Sequence, residues 1–215
     1  MELPIFPLNT VLFPGGRLPL HIFEERYKLM VSRCVERGEP FGVCLIRRGN
    51  EVGEAAVEPF RGTTAHIREL QALDKGRLNI VCTGGQRFTI RAITCPTPYI
   101  ATVEAIASEE SAGPAAAALA EEAGTLLADY VRLNLAMTNQ WARSIEMPSE
   151  PGALSDYVGG VLSIDLGTKQ RLLEQTSPML RLQAEVEILH AAIAQLTSRV
   201  EVARAARWLG LSALN

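Results

Sequence analysis

Leu3-Pro4-Ile5-Phe6-Pro7-Leu8-Asn9-Thr10-Val11-Leu12-Phe13-Pro14-Gly15-Gly16-Arg17-Leu18-Pro19-Leu20 is strongly apolar, yet four prolines divide it. No helix can run through such a stretch, because proline lacks an N–H and its ring clashes with the preceding turn. Strands tolerate proline at edges, ends and bulges. The segment therefore reads as short extended pieces joined by a turn at Pro14-Gly15-Gly16, where glycine reaches positive φ at little cost. A first strand this apolar must lie against a core. The expectation is a chain that begins inside its fold, with no tail and nothing to cleave. Met1-Glu2-Leu3-Pro4 also lacks the cationic start of a secretory signal.

Working outward, residues 1 to about 107 read as mostly strand. Phe41 to Ile46 is a short apolar run suited to a strand buried on both faces. Thr64 to Leu73 mixes polar and apolar positions, and Leu78, Ile80 and Cys82 alternate with their neighbours. Asp74-Lys75-Gly76 between them is a hairpin signal. Phe88, Ile90 and Ala92 form a further alternating strand, and Tyr99 to Ile106 a last one. The helix of this half is Glu24 to about Arg37, with Tyr27, Met30, Val31, Cys34 and Val35 on one face and Gly38-Glu39-Pro40 as its stop. Many short strands, Gly-rich turns and one inserted helix predict a small coiled β-barrel.

Ser108 to Pro114 is the joint, polar and closed by a proline suited to a helix start. The expected division is thus a barrel domain over 1–107 and a helical bundle over 114–215, an α+β chain. Helices are predicted from Ala115 to about Ala136, Leu154 to Leu162 and Thr168 to Gln175, with a loop at Met147 to Gly152. Ser177-Pro178 supplies a cap and first-turn proline for a long last helix ending near Gly210. Its Leu182, Val186, Leu189, Ile193, Leu196, Val200 and Ala203 alternate by four and three. A core-facing stripe is the favoured reading, and a homodimer through this helix the alternative.

The 215 residues are 47% hydrophobic and 21% charged, the composition of an ordinary globular protein. A net charge of -3 gives no electrostatic footprint for nucleic acid or an anionic membrane. No apolar run approaches the roughly 20 residues needed to span a bilayer, and the chain is expected to be cytoplasmic. Cys34, Cys44, Cys82 and Cys95 form no C-x-x-C, and free cysteines acting as small hydrophobes are favoured over two disulfides of a secreted protein. With His21, His66 and His190 far apart, neither a metal site nor a cofactor is expected.

The opening run through His21-Ile22-Phe23-Glu24-Glu25-Arg26-Tyr27 resembles the start of the N-terminal, substrate-binding domain of Lon proteases. Further pieces agree in order: Glu51-Val52-Gly53, Asp74-Lys75-Gly76-Arg77-Leu78, Gly85-Gln86-Arg87-Phe88, Pro98 to Glu104, and Leu162 followed by Lys169-Gln170-Arg171-Leu172-Leu173-Glu174. The resemblance covers nearly the whole chain. It implies a PUA-like barrel followed by helices, and a part in recognising polypeptide substrates. The family's proteolytic Ser-Lys dyad belongs to a separate domain, so no residue here inherits that role.

The residues themselves agree that this is not an enzyme. There is no G-x-x-x-x-G-K-[S/T] loop and no G-x-S-x-G elbow. Glu24-Glu25 and Glu109-Glu110 suit a helix start and a solvated linker. Cys34 with His21 is the nearest approach to a thiol–imidazole pair, yet Cys34 fits the core face of its helix. RNA binding is the reading from another class, since similar barrels bind RNA. Arg47-Arg48 with Arg87 and Arg91 would be its basic strip, but the mild acidity and 6% aromatic content disfavour it. The expected function is non-catalytic polypeptide binding, with an adaptor or scaffold for one folded partner as the alternative, and an unrecognised small-molecule enzyme behind both. Phe13, Arg17, His21 and Phe23 are the candidate contact residues, lining a groove beside the inserted helix. An extended peptide adding to a strand edge is a further route to sequence-tolerant recognition.

Overall fold

The prolines of the opening segment sit where strands tolerate them. In the computed structural model, which describes residues 1–46, 61–96, 99–109, 111 and 113–212, β1 (Glu2–Leu8) leads through a turn to β2 (Arg17–Ile22). Gly15 in that turn takes φ 73°. Then come α1 (Glu25–Arg37), β3 (Phe41–Leu45), β4 (Arg61–Ala72), β5 (Leu78–Pro96) and β6 (Tyr99–Ile106). Four helices follow: α2 (Pro114–Met137), α3 (Pro151–Val161), α4 (Leu166–Glu174) and α5 (Pro178–Ser212). Arg47-Arg48, Glu51-Val52-Gly53 and Pro98 lie outside the described residues, as does the side chain of Ala203.

The six strands form one sheet in the order β2-β5-β4-β3-β1-β6, with β1 and β3 parallel and the other neighbours antiparallel. β5 also pairs with β6, so the pairings close into a circuit through β1, β3, β4, β5 and β6. This corrects the expected small barrel to a mixed six-stranded sheet that is not a clean barrel. The reason is β5, whose first half pairs with β2 and β4 and whose second half pairs with β6 in a ladder broken by register shifts at Ile90/Ala92 and Ile93/Cys95, while β2 lies outside the circuit.

β5 also runs without interruption through Gly84-Gly85, where the sequence suggested two separate strands. These glycines permit close approach. A Cβ on Gly84 would stand 2.1 Å from the Phe13 carbonyl oxygen, and the Gly84 N–H donates to Gly16 at 2.8 Å. Lys75 (φ 61°) and Gly76 (φ 68°) make the tight β4–β5 turn expected from Asp74-Lys75-Gly76.

β1 and β3 are buried on both faces, which explains their nearly continuous apolar character. Phe6 and Val43 point into a core shared with Ile22, Val31, Phe41 and Ile80. Leu3, Ile5 and Cys44 point into a second core with Phe88, Ile90 and Val103. Phe6 stacks on Tyr27 of α1 at 3.9 Å between ring centroids, fixing that helix against the first strand.

The chain divides into two compact units, 1–109 with 159–176, and 110–158 with 177–215. One boundary falls within the Ser108–Pro114 joint, and α4 groups with the strands and not with the other helices. Its C-terminal carbonyls explain this. The last carbonyls of a helix lack intrahelical partners and carry its negative pole. Arg87 Nε donates to the Leu173 carbonyl at 3.0 Å, and the Arg61 guanidinium donates to the Glu174 carbonyl. Gln170 Nε2 returns a bond to the Arg61 carbonyl at 3.0 Å. At the other end Asp165 accepts from the Thr168 N–H at 2.9 Å, an N-cap.

In the second unit α2 and α5 form the main helix pair. Leu182, Val186, Leu189, Leu196 and Val200 of the heptad pattern are buried within the single chain, as a core-facing stripe requires. α3 starts three residues before its expected position. The Glu150 carboxylate accepts from the Gly152 and Ala153 N–H groups at 2.9 and 2.7 Å, and Pro151 needs no partner in a first turn. Among the described residues, no helix is long and apolar enough to cross a membrane.

Candidate functional site

β2 alternates as an outer strand should. Leu18, Leu20 and Ile22 turn toward the core, while Arg17, Pro19 and His21 are exposed. Cross-strand register places Arg17, Pro19 and His21 opposite Thr83, Val81 and Asn79 of β5. Beyond these, β4 contributes His66, Glu69 and Gln71. His21 Nδ1 lies 2.7 Å from Asn79 Oδ1, so a proton on that nitrogen donates to the amide oxygen. Arg17 reaches Glu69 Oε1 at 3.4 Å, an exposed pair of modest energetic value. Phe23, 60% exposed, packs its ring 6.1 Å from His21. Arg17, His21 and Phe23 thus share one outward surface.

Phe13 does not join them. It is 1% exposed, and its ring occupies the space a Cβ on Gly159 would take, 2.5 Å from Cε1. Phe13 is a core residue that holds the turn before β2 and cannot line an open groove. The basic strip is corrected as well. Arg87 is 3% exposed and spent on α4, and Arg91 pairs with Glu104 at 2.7 Å.

The free edges bear on strand addition. Gly84 donating to Gly16 sets the phase of the β2–β5 ladder, which turns the main-chain groups of residues 17, 19 and 21 away from β5. Pro19 therefore removes the middle donor of the outer edge. β4 pairs with β3 over Thr63–Ala65, and among the described residues its distal part has no second partner strand. There Arg68 is an extra residue between Ile67 and Glu69, a bulge. Both edges are interrupted by devices that discourage strand pairing.

Thiol chemistry is disfavoured too. A cleft of about 330 Å3 between the end of α1 and β4 is lined in part by Cys34, Glu39, His66 and Arg68. Burial, and then Glu39, push the Cys34 thiol up to about 11. Burial likewise raises Cys44 to about 12 and Cys82 to about 11. Near neutral pH these groups stay protonated and are poor nucleophiles. Cys34 lies in the core and His21 on the outer face, so the pair does not form. Among the described residues, no cluster of three or more His, Cys, Asp or Glu side chains could hold a metal ion.

Residues 2–191 match the family described as the ATP-dependent protease La (LON) substrate-binding domain. The chain belongs to this family. The Lon protease of Anaeromyxobacter dehalogenans (strain 2CP-C) is 26% identical and Lon protease 2 of Myxococcus xanthus 27% identical, each over 94% of this chain. The chain spans about a quarter of the length of these Lon relatives. Among solved structures, a Lon N-terminal domain protein from Xanthomonas campestris matches at a TM-score of 0.63 and 24% identity, over 86% of this chain and 96% of its own. The N-terminal domain of Mycobacterium avium complex Lon protease matches at 0.65 and 19%, over 88% and 98%. These two likenesses establish the Lon N-terminal fold. Sequence reading missed α4 as a neighbour of this surface's scaffold. Arg87 of Gly85-Gln86-Arg87-Phe88, which meets the end of α4, has a main-chain carbonyl as its partner there, so no side-chain pattern in the sequence announces the contact.

Proposed function

We propose that this chain is a non-catalytic polypeptide-recognition module of the cytoplasm, binding unfolded or partly folded segments. Family membership over residues 2–191 carries the reading. Its scaffold is the mixed six-stranded sheet, read here as an irregular version of the PUA-like barrel implied by the family because its strand pairings close into a circuit. Arg17, His21 and Phe23 form its contact surface on the strand unit, with Phe13 supporting them from within. An exposed aromatic beside hydrogen-bonding side chains suits a chain that offers both apolar groups and unpaired amides. The interrupted edges argue for contact through side chains instead of an added strand.

The test is fluorescence anisotropy of a labelled, permanently unfolded polypeptide titrated with this protein, beside the same label on a folded control. Saturable binding of the unfolded chain alone is expected, weakened several-fold by Phe23→Ala and less by Arg17→Ala or His21→Ala. Binding of the folded control alone would replace this reading with a scaffold for a native partner. No binding at high micromolar protein would reject general client capture.

A further inference from the structure

The fold decides which ring nitrogen of His21 is left for a ligand. Residues 21 and 79 face each other on β2 and β5, at a step of the ladder where main-chain groups turn away and side chains come closest. Asn79 Oδ1 accordingly stands 2.7 Å from His21 Nδ1. An amide oxygen only accepts, so the neutral ring keeps its proton on Nδ1. Nε2 is then a bare acceptor on an exposed side chain, and among the described residues no group donates to it.

The charges around that acceptor are balanced. Glu69, on β4, is paired with Arg17 at 3.4 Å, and Glu24, ahead of α1, with Arg26 at 2.8 Å. The β4–β5 turn brings both signs, Asp74 and Lys75, and Arg77 Nε bonds the Asp74 carbonyl. Gln71, across from Asn79 on β4, is uncharged. The group that complements Nε2 is therefore a neutral donor. Beside it Phe23, 60% exposed and with its ring 6.1 Å from the imidazole, offers apolar surface. A free N–H next to an apolar side chain is what an unfolded main chain presents. A folded protein has nearly all of its main-chain N–H groups paired.

We infer that His21 Nε2 accepts a main-chain N–H of the client, with Phe23 covering the adjacent apolar side chain and Asn79 as the positioning residue that keeps Nε2 unprotonated. The inference rests on the recognition reading above and supplies its basis for preferring unfolded segments. It also makes capture pH-dependent. A proton added to the ring goes to Nε2, turns the acceptor into a donor and releases the amide. Histidine side chains make that change between about pH 8 and pH 5.

The test uses the full chain and two dye-labelled twelve-residue peptides of repeating glycine, leucine and serine. One has ordinary amides; in the other alternate amides are esters, which keep the shape and lose the N–H. At pH 8 the amide peptide should bind about threefold more tightly, the order of one neutral hydrogen bond. His21→Leu should erase that preference, and Asn79→Leu, which frees the tautomer, should shrink it. At pH 5 wild type should lose the preference, whereas His21→Gln, whose amide oxygen does not titrate, should keep it. Both positions are exposed, so the circular dichroism melt should not change. Equal binding of the two peptides by wild type, or a preference that survives His21→Leu, overturns the acceptor role. A preference unchanged in Asn79→Leu overturns the positioning role. A labelled unfolded protein is titrated in parallel. If it binds wild type and His21→Leu equally, the acceptor is wrong and the recognition reading stands. If it fails to bind while the amide preference appears and follows His21, the acceptor stands and general client capture falls. Binding of neither probe rejects both.

Discussion

Each unit buries an arginine, and the two dispose of the charge differently. Arg87 in the strand unit gives its Nε to a main-chain carbonyl at the end of α4 and a second nitrogen to Ser108 Oγ at 3.2 Å. Arg181 in the helical unit is fully buried and meets chiefly side chains, Ser155 Oγ at 2.6 Å and Asp156 Oδ1 at 3.0 Å, with a longer bond to the Gly152 carbonyl at 3.5 Å. Glu185, one helical turn along α5 and equally buried, accepts from the same serine at 2.9 Å. A bond to a backbone carbonyl survives most substitutions in the helix that supplies it. A buried cluster of side chains needs every member, because an orphaned charge is costly. The strand unit should therefore tolerate change in α4, and the helical unit should not tolerate change around Arg181.

The most direct way to break the contrast is Arg181→Met. It leaves Glu185 and Asp156 without that guanidinium, and a loss of about 3–5 kcal/mol is expected in urea denaturation. Adding Glu185→Leu should recover much of the loss, since an apolar replacement of a buried ionic group is often near neutral. Recovery failing would show that the serine and aspartate, not charge balance, hold α3.

Arg87→Met should cost less, about 1.5–3 kcal/mol for a charged hydrogen bond lost to a buried carbonyl. Hydrogen exchange should then rise over residues 166–174 before it rises in the strands. Uniform loosening instead would mean that α4 is held by packing alone.

The start of α4 offers a pH test. Bonds from the Thr168 side chain and N–H hold the Asp165 carboxyl below its ordinary value of 3.8. A carboxyl depressed in the folded state stabilises fully above its unfolded value and loses that contribution as pH falls through the folded one. Acid titration should thus loosen α4 only below about pH 4. Asp165→Asn, which still caps, should flatten that acid limb and change little at pH 7. The smallest expected effect is Lys75→Gly, which relieves a left-handed residue at the hairpin and should add up to about 1 kcal/mol.

Helix positions were legible because α1, α2 and α5 carry periodic apolar faces and recognisable stops. α3 began early because Glu150 caps it, and a glutamate in that place resembles any surface charge. Gly84-Gly85 read as punctuation because a glycine pair usually marks a turn. Its purpose depends on the Phe13 carbonyl, remote in sequence, so no local pattern discloses it. The same holds for Phe13: an aromatic before Pro14-Gly15-Gly16 could face either way until Gly159 leaves room for its ring. Outward parity of Arg17, His21 and Phe23 could be read from β2, whereas their partners Glu69 and Asn79 depend on strand register. The allegiance of α4 was hidden most deeply, because recognition of a carbonyl leaves no complementary residue to find.

Pro19 and the Arg68 bulge also govern the company this protein can keep. Misfolding chains grow by adding identical strands to any open, regular edge, and an edge that accepts one strand presents another behind it. A sheet missing a donor on one side and out of step on the other is a poor seed for that growth. Against aggregating polypeptide, such edges offer no regular template on which a growing fibre could extend.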